Sequence, residues 1–137
     1  MNKILMFLTL LFSMHANAEL LSKQYSNCME KGSTNSEWST CATKEIAFQE
    51  KALNNAWSEV AKEMKTYSQN AFKSLLNEQR AWIKYKDEAC QYYAATDDGG
   101  SPTFGREGTA LHYGLCKATI IAERVNYLKV AIPSSEY

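Results

Sequence analysis

Residues 39–67, STCATKEIAFQEKALNNAWSEVAKEMKTY, decide the fold. Ala42, Ile46, Leu53, Ala56, Val60 and Met64 recur at steps of four and three, with Gln49 completing the spacing. That rhythm paints one face of an α-helix. From Ser68 to about Thr96 the same rhythm returns in Phe72, Leu75, Leu76, Trp82, Ile83, Ala89, Cys90 and Tyr93. Tyr67-Ser68-Gln69-Asn70 is the best break between the two. A fourth helix, capped by Thr109, carries Leu111, Leu115, Ala118, Ile121, Val125 and Leu128 on one face. A short first helix spans Leu20 to about Lys31 and stops at Lys31-Gly32, a cation followed by glycine. The expected fold class is therefore all-α, a small disulfide-linked bundle of about four helices in a single domain, residues 19–137. The longest non-helical stretch is 97–108, DDGGSPTFGREG.

Composition agrees. Only 6 glycines and 2 prolines occur in 137 residues, too few for a protein of many tight β-turns. Hydrophobic residues at 45% and aromatics at 12% exclude a disordered chain. Fifteen Lys+Arg balance fifteen Asp+Glu, and the lysines interleave with acids, so no basic stripe for nucleic acid emerges.

Residues 1–18 read as a secretory signal. Lys3 supplies the positive start, residues 4–14 (ILMFLTLLFSM) the apolar run, and Ala16-Asn17-Ala18 the small-x-small cleavage site. No cysteine follows the apolar run closely, which argues against a lipid anchor. The expected product starts at Glu19, has no membrane span, carries a net charge of −1 without Lys3, and is soluble and periplasmic.

Export sets the reading of Cys28, Cys41, Cys90 and Cys116. Four cysteines in an oxidising compartment imply two disulfides. Three pairings are open. The turn at Gly32-Ser33-Thr34-Asn35 and the one at 97–102 favour Cys28–Cys41 and Cys90–Cys116. In the chain-entropy model each is worth roughly 3 to 3.5 kcal/mol. Zinc does not fit, because no two cysteines lie two to four residues apart.

Catalytic chemistry finds little support. His112 is the one histidine outside the leader, and Cys90–His112 is the sharpest nucleophile pair available. A disulfide would remove that nucleophile and leave His112 as a surface residue beside the bridge. Asp97-Asp98-Gly99-Gly100 fails as a calcium loop, with Gly99 and Gly108 where ligands belong. Asp87 and Glu88 point about 100° apart on a helix, so they read as a paired Asp87 and an exposed Glu88. No phosphate loop or dinucleotide fingerprint is present. The expectation is a non-enzyme without cofactor or metal. Gln79, Trp82, Lys86 and Asp87 lie near the apolar stripe of the third helix and need partners. Arg124 is within reach of Asp87 on this reading.

The motifs Leu53-Asn54-x-x-Trp57, Gln79-x-x-Trp82, Lys86-Asp87-x-x-Cys90, Gly99-Gly100-Ser101, Cys116 and Arg124-x-x-x-Leu128 occur in this order. In them the chain resembles the LprI-like lysozyme-inhibitor domain of bacterial exported proteins, over about Cys28 to Leu128. The resemblance implies a small disulfide-linked helical domain that binds and inhibits lysozyme. Leu53, Trp57, Trp82 and Leu128 are expected in the core, Asp87 paired with Arg124, and Asn54 and Gln79 as structural positions. If the chain blocks a hydrolase cleft, the segment 97–108 is the expected contact, through Ser101, Thr103, Phe104 and Arg106. The alternative function is an envelope stress or assembly factor that binds another protein or a small ligand without catalysis.

Overall fold

The computed structural model describes residues 20–96 and 104–131. They form four α-helices: α1 (Lys23–Lys31), α2 (Asn35–Tyr67), α3 (Gln69–Glu88) and α4 (Gly105–Val130), with a 3-10 turn at Gln91–Tyr93 before α4. No strand occurs among the described residues.

Local chemistry sets each boundary. Ser22 caps α1, its hydroxyl accepting from Tyr25 N–H at 3.1 Å. α2 begins at Asn35, a turn before Ser39, because Thr34 and Glu37 form a capping box. Glu37 accepts from the Ser33 and Thr34 amides at 2.7 and 3.1 Å. The Ser33 amide, joined by the neighbouring hydrogen bonds, holds the Glu37 carboxyl below its ordinary range. Ser68 is the expected break: extended backbone ends α2, and its hydroxyl accepts from Ala71 N–H to start α3. α3 stops at Glu88, well before Thr96, because Cys90 takes a left-handed conformation with φ 71°. α4 starts at Gly105, before Thr109, where glycine accepts a φ of +69° that a side chain would resist.

α2, at 33 residues, is about 50 Å long and organises the molecule. α4 lies along it in the same direction: Ala42 faces Gly114, and further on Leu53, Ala56 and Val60 share one core cluster with Ile121, Val125 and Leu128. A Cβ added at Gly114 would sit 2.9 Å from the Ala42 Cβ, so the two backbones approach more closely than side chains allow. α3 returns antiparallel to both. Lys65 lies 4.6 Å from the Phe72 ring at one end of that pairing and Lys86 meets Glu50 at 2.8 Å nearer the other.

α1 folds back on the first half of α2. Cys28–Cys41 joins them, and Trp38 Nε1 donates to the Met29 carbonyl at 3.1 Å. Glu45, only 2% exposed, receives the Ser22 amide at 2.8 Å, the Ser22 hydroxyl and Gln49 Nε2 at 2.7 Å. Those three donors satisfy a buried carboxylate. Burial first, and then the Glu45 charge, push the Tyr25 hydroxyl above its ordinary value.

Several expectations need correction. Trp57 and Trp82 are only partly buried, whereas Leu53 and Leu128 are core. Ile83 is 42% exposed. Asn54 is exposed on α2. Asp87 is exposed as well, and its carboxylate makes no pair with Arg124 or with any other described residue. Arg124 meets α3 more than two turns further back, at Glu78 and Gln79.

Candidate functional site

The end of α3 is held by two neighbouring residues of α4. Cys116 bonds Cys90. Lys117, 8% exposed, donates its ammonium to the carbonyls of Lys86 and of Asp87, the latter at 3.2 Å. Those carbonyls belong to the last turn, where helix groups lack partners and a cation is favoured. The Lys117 ammonium also sits 5.4 Å from the Tyr113 ring.

Beyond this anchor four rings gather, two from the 3-10 turn and two from the start of α4. Tyr92 and Tyr93 have centroids 4.4 Å apart. Tyr93 stacks on His112 at 5.6 Å and 15°, and Phe104 tilts against His112 at 4.7 Å. Phe104 and Tyr93 are 6.3 Å apart, so the three rings close a triangle. Outer faces stay open to solvent: Tyr92 is 68% and Phe104 52% exposed. Hydrogen bonding to Tyr93, more than burial, raises the Tyr92 hydroxyl above its ordinary value. Arg106, in the first turn of α4, is exposed and has no partner among the described residues. This end therefore offers exposed aromatic surface and a free guanidinium on a covalently fixed base. Tyr, Phe and Arg side chains of that kind anchor protein interfaces.

Of the residues expected to bind a partner, Phe104 and Arg106 lie together here. Phe104 immediately precedes α4 and Arg106 is helical, so neither belongs to a long loop. Ser101 and Thr103 lie outside the described residues. Tyr92, Tyr93 and His112 were missed as members of the site. The available signals were two tyrosines directly after Cys90, and a histidine one helical turn before Cys116. Both disulfides pair as the turns favoured, and the bridge removes Cys90 as a nucleophile.

A second polar cluster joins α3 to α4. Arg124 Nε donates to Gln79 Oε1 at 2.9 Å and Nη1 to Glu78 Oε1 at 2.6 Å. Tyr127 donates to Glu78 Oε2 at 3.0 Å, and this bond is the main reason its hydroxyl titrates above the ordinary value. The guanidinium lies 4.6 Å from the Tyr127 ring and 5.5 Å from that of Trp82. Gln79 and Arg124 are 6% and 7% exposed, so the bonds between them are made away from water. The cluster fixes the distance between two helices, with Arg124 Nη2 buried and without a hydrogen-bond partner among the described residues.

No metal-holding group of His, Cys, Asp and Glu occurs among the described residues, and no described helix is long and apolar enough to cross a membrane. The family model described as Lysozyme inhibitor LprI matches residues 26–128. The chain belongs to the LprI family. The LprI match runs from the middle of α1 to the last turns of α4, so it takes in both disulfides, the Arg124 cluster and the aromatic end. No curated protein and no solved structure matches the chain.

Proposed function

We propose that this LprI chain is an exported binding protein that inhibits a peptidoglycan-cleaving hydrolase of the lysozyme type, through its aromatic end. The observation that carries the reading is the match to the lysozyme-inhibitor family together with exposed Phe104, Tyr92 and Arg106 on a disulfide-fixed base. Glycoside hydrolases work with a pair of carboxyl groups flanking the scissile bond. Arg106 gives such a cleft a charge-assisted donor. Phe104 gives it an apolar anchor, and the fixed base reduces the ordering cost of binding. Ser101 and Thr103 precede Phe104 in sequence and belong to the same proposed contact. The signal at residues 1–18 and a soluble periplasmic product from Glu19 complete the reading, which requires no cofactor and no catalytic step.

The test is lysis of a peptidoglycan suspension by lysozyme in the presence of the purified chain from Glu19. The expected result is slower lysis, and at least tenfold weaker inhibition by the Phe104→Ala/Arg106→Ala variant at an unchanged melting temperature. Undiminished lysis with the parent chain removes the inhibitor reading and leaves the envelope-factor alternative. Equal inhibition by parent and variant moves the contact to another face.

A further inference from the structure

On the opposite flank of α2 from the aromatic end's anchor, a cavity of about 500 Å³ opens between the start of α1, the middle of α2 and the last third of α4. That size falls within the range of small-ligand sites. Its wall is apolar where Leu20, Leu21, Phe48 and Val125 meet. Phe48 is 45% exposed there, a large ring left uncovered beside a concave surface. Gln49 also lines it and is only 5% exposed. Its Nε2 is spent on Glu45, and its carbonyl oxygen has no partner among the described residues. That oxygen is not fully buried, and an amide oxygen has lone pairs to offer a bound donor.

The rim is cationic. Lys23 and Lys129 both line the cavity, and among the described residues no carboxylate does. Glu45, one turn before Gln49 on α2, is engaged by Ser22 and Gln49 and lines a separate, smaller cavity beside Tyr25 and Lys44. Lys23 is the first residue of α1, whose first turn holds no acid. A cation there opposes the helix dipole, so helix stability does not explain it. An anion bound at the rim would find both the ammonium and the positive helix end.

We infer that this cavity binds a small acylated amino acid: an apolar body against Leu20, Leu21, Phe48 and Val125, an amide N–H given to Gln49, and a carboxylate held by Lys23 and Lys129. A free N-acyl amino acid and the C-terminal residue of a short peptide share this chemistry. The inference does not depend on hydrolase inhibition and is tested without a hydrolase.

The experiment is calorimetric titration of the chain from Glu19, which contains every described helix, below the concentration at which the probes form micelles. N-octanoylglycine carries all three features, octanoate lacks the amide N–H, and N-octanoylglycinamide lacks the charge. Saturable binding of N-octanoylglycine is expected, at least fivefold tighter than either control. Acetyl-Gly-Ala-Leu with a free carboxylate is the peptide probe, and the tighter of the two complete ligands names the source. Lys23→Gln/Lys129→Gln, at two exposed positions, should bring N-octanoylglycine down to the affinity of its amide. Ala52→Phe, which fills the cavity, should abolish binding; if it fails to fold, the lysine variant decides. Absence of saturable binding by either complete ligand, equal affinity for all probes, or indifference to the lysine variant overturns the assignment.

Discussion

Two seams hold the bundle together, and they are built from opposite materials. Between α2 and α4 the contact is dry: Leu53, Ala56, Val60, Ile121, Val125 and Leu128, with Gly114 against Ala42. Between α3 and the other two helices only Leu75 and Gln79 are buried on the α3 side. Apart from Trp82, partly buried against the core, the remainder is polar: Lys86 with Glu50, Arg124 with Gln79 and Glu78, and Lys117 on the α3 carbonyls. A dry seam gains from every apolar atom it removes from water. A polar seam exchanges bonds to water for bonds within the protein, gains less, and loses heavily when one partner is removed. The first seam supplies stability, and the second chooses where α3 sits.

That contrast can be broken at its strongest point. Leu128→Ala, at a side chain with no exposure, should destabilise by about 2–5 kcal/mol through lost burial and the cavity left behind. Denaturant unfolding measures it, and a loss below that range would mean that the dry seam is not the main source of stability. Arg124→Met keeps the volume and removes the charge, stranding the Gln79 carbonyl. The expected loss is about 1–3 kcal/mol. The same unfolding curve reports it. A neutral result would mean that the polar seam is replaceable by apolar packing. Lys86→Gln acts on a pair that water still reaches, with side chains 20% and 35% exposed. Its cost should be at most about 1 kcal/mol and should shrink as salt is added. A larger, salt-independent loss would move Lys86 into the class of Arg124.

The same contrast explains what could be read in advance. The stripes of α2 and α4 are apolar at helical spacing, so Leu53, Val60, Ile121, Val125 and Leu128 were legible as core. Polar docking leaves no such rhythm. Arg124 was expected to find Asp87, the acid nearest the family motif, yet it reaches Glu78 and Gln79. Spacing along one helix does not determine how far a neighbour slides along it. Trp82 shares the apolar stripe but is only partly buried, with the Arg124 guanidinium 5.5 Å from its ring, so its expected full burial was too strong. Glu45 went unnoticed because its donors come from the backbone and hydroxyl of Ser22, 23 residues away. At the aromatic end, Phe104 and Arg106 were legible as exposed residues. The His112 triangle was not, since it depends on where the 3-10 turn brings Tyr93. The start of α2 was available in Thr34-x-x-Glu37, whereas the start of α4 has no side-chain cap to read.

Both disulfides lie toward one end of the bundle, where Cys41 and Cys116 are on the levels of Ala42 and Gly114. The long stretch between Cys41 and Cys90, including the turn at Ser68, has no cross-link of its own. Backbone opening should therefore be graded along the molecule, earliest at Tyr67-Ser68 and last beside the bridges. Against a protease, that gradient fixes both the site of first cleavage and what survives it: a nick at Ser68 would leave the fragments on either side without a disulfide between them, since each bridge closes within its own half of the chain. Lifetime against proteolysis would then be governed by the far turn, while the aromatic end keeps its shape until the whole bundle comes apart.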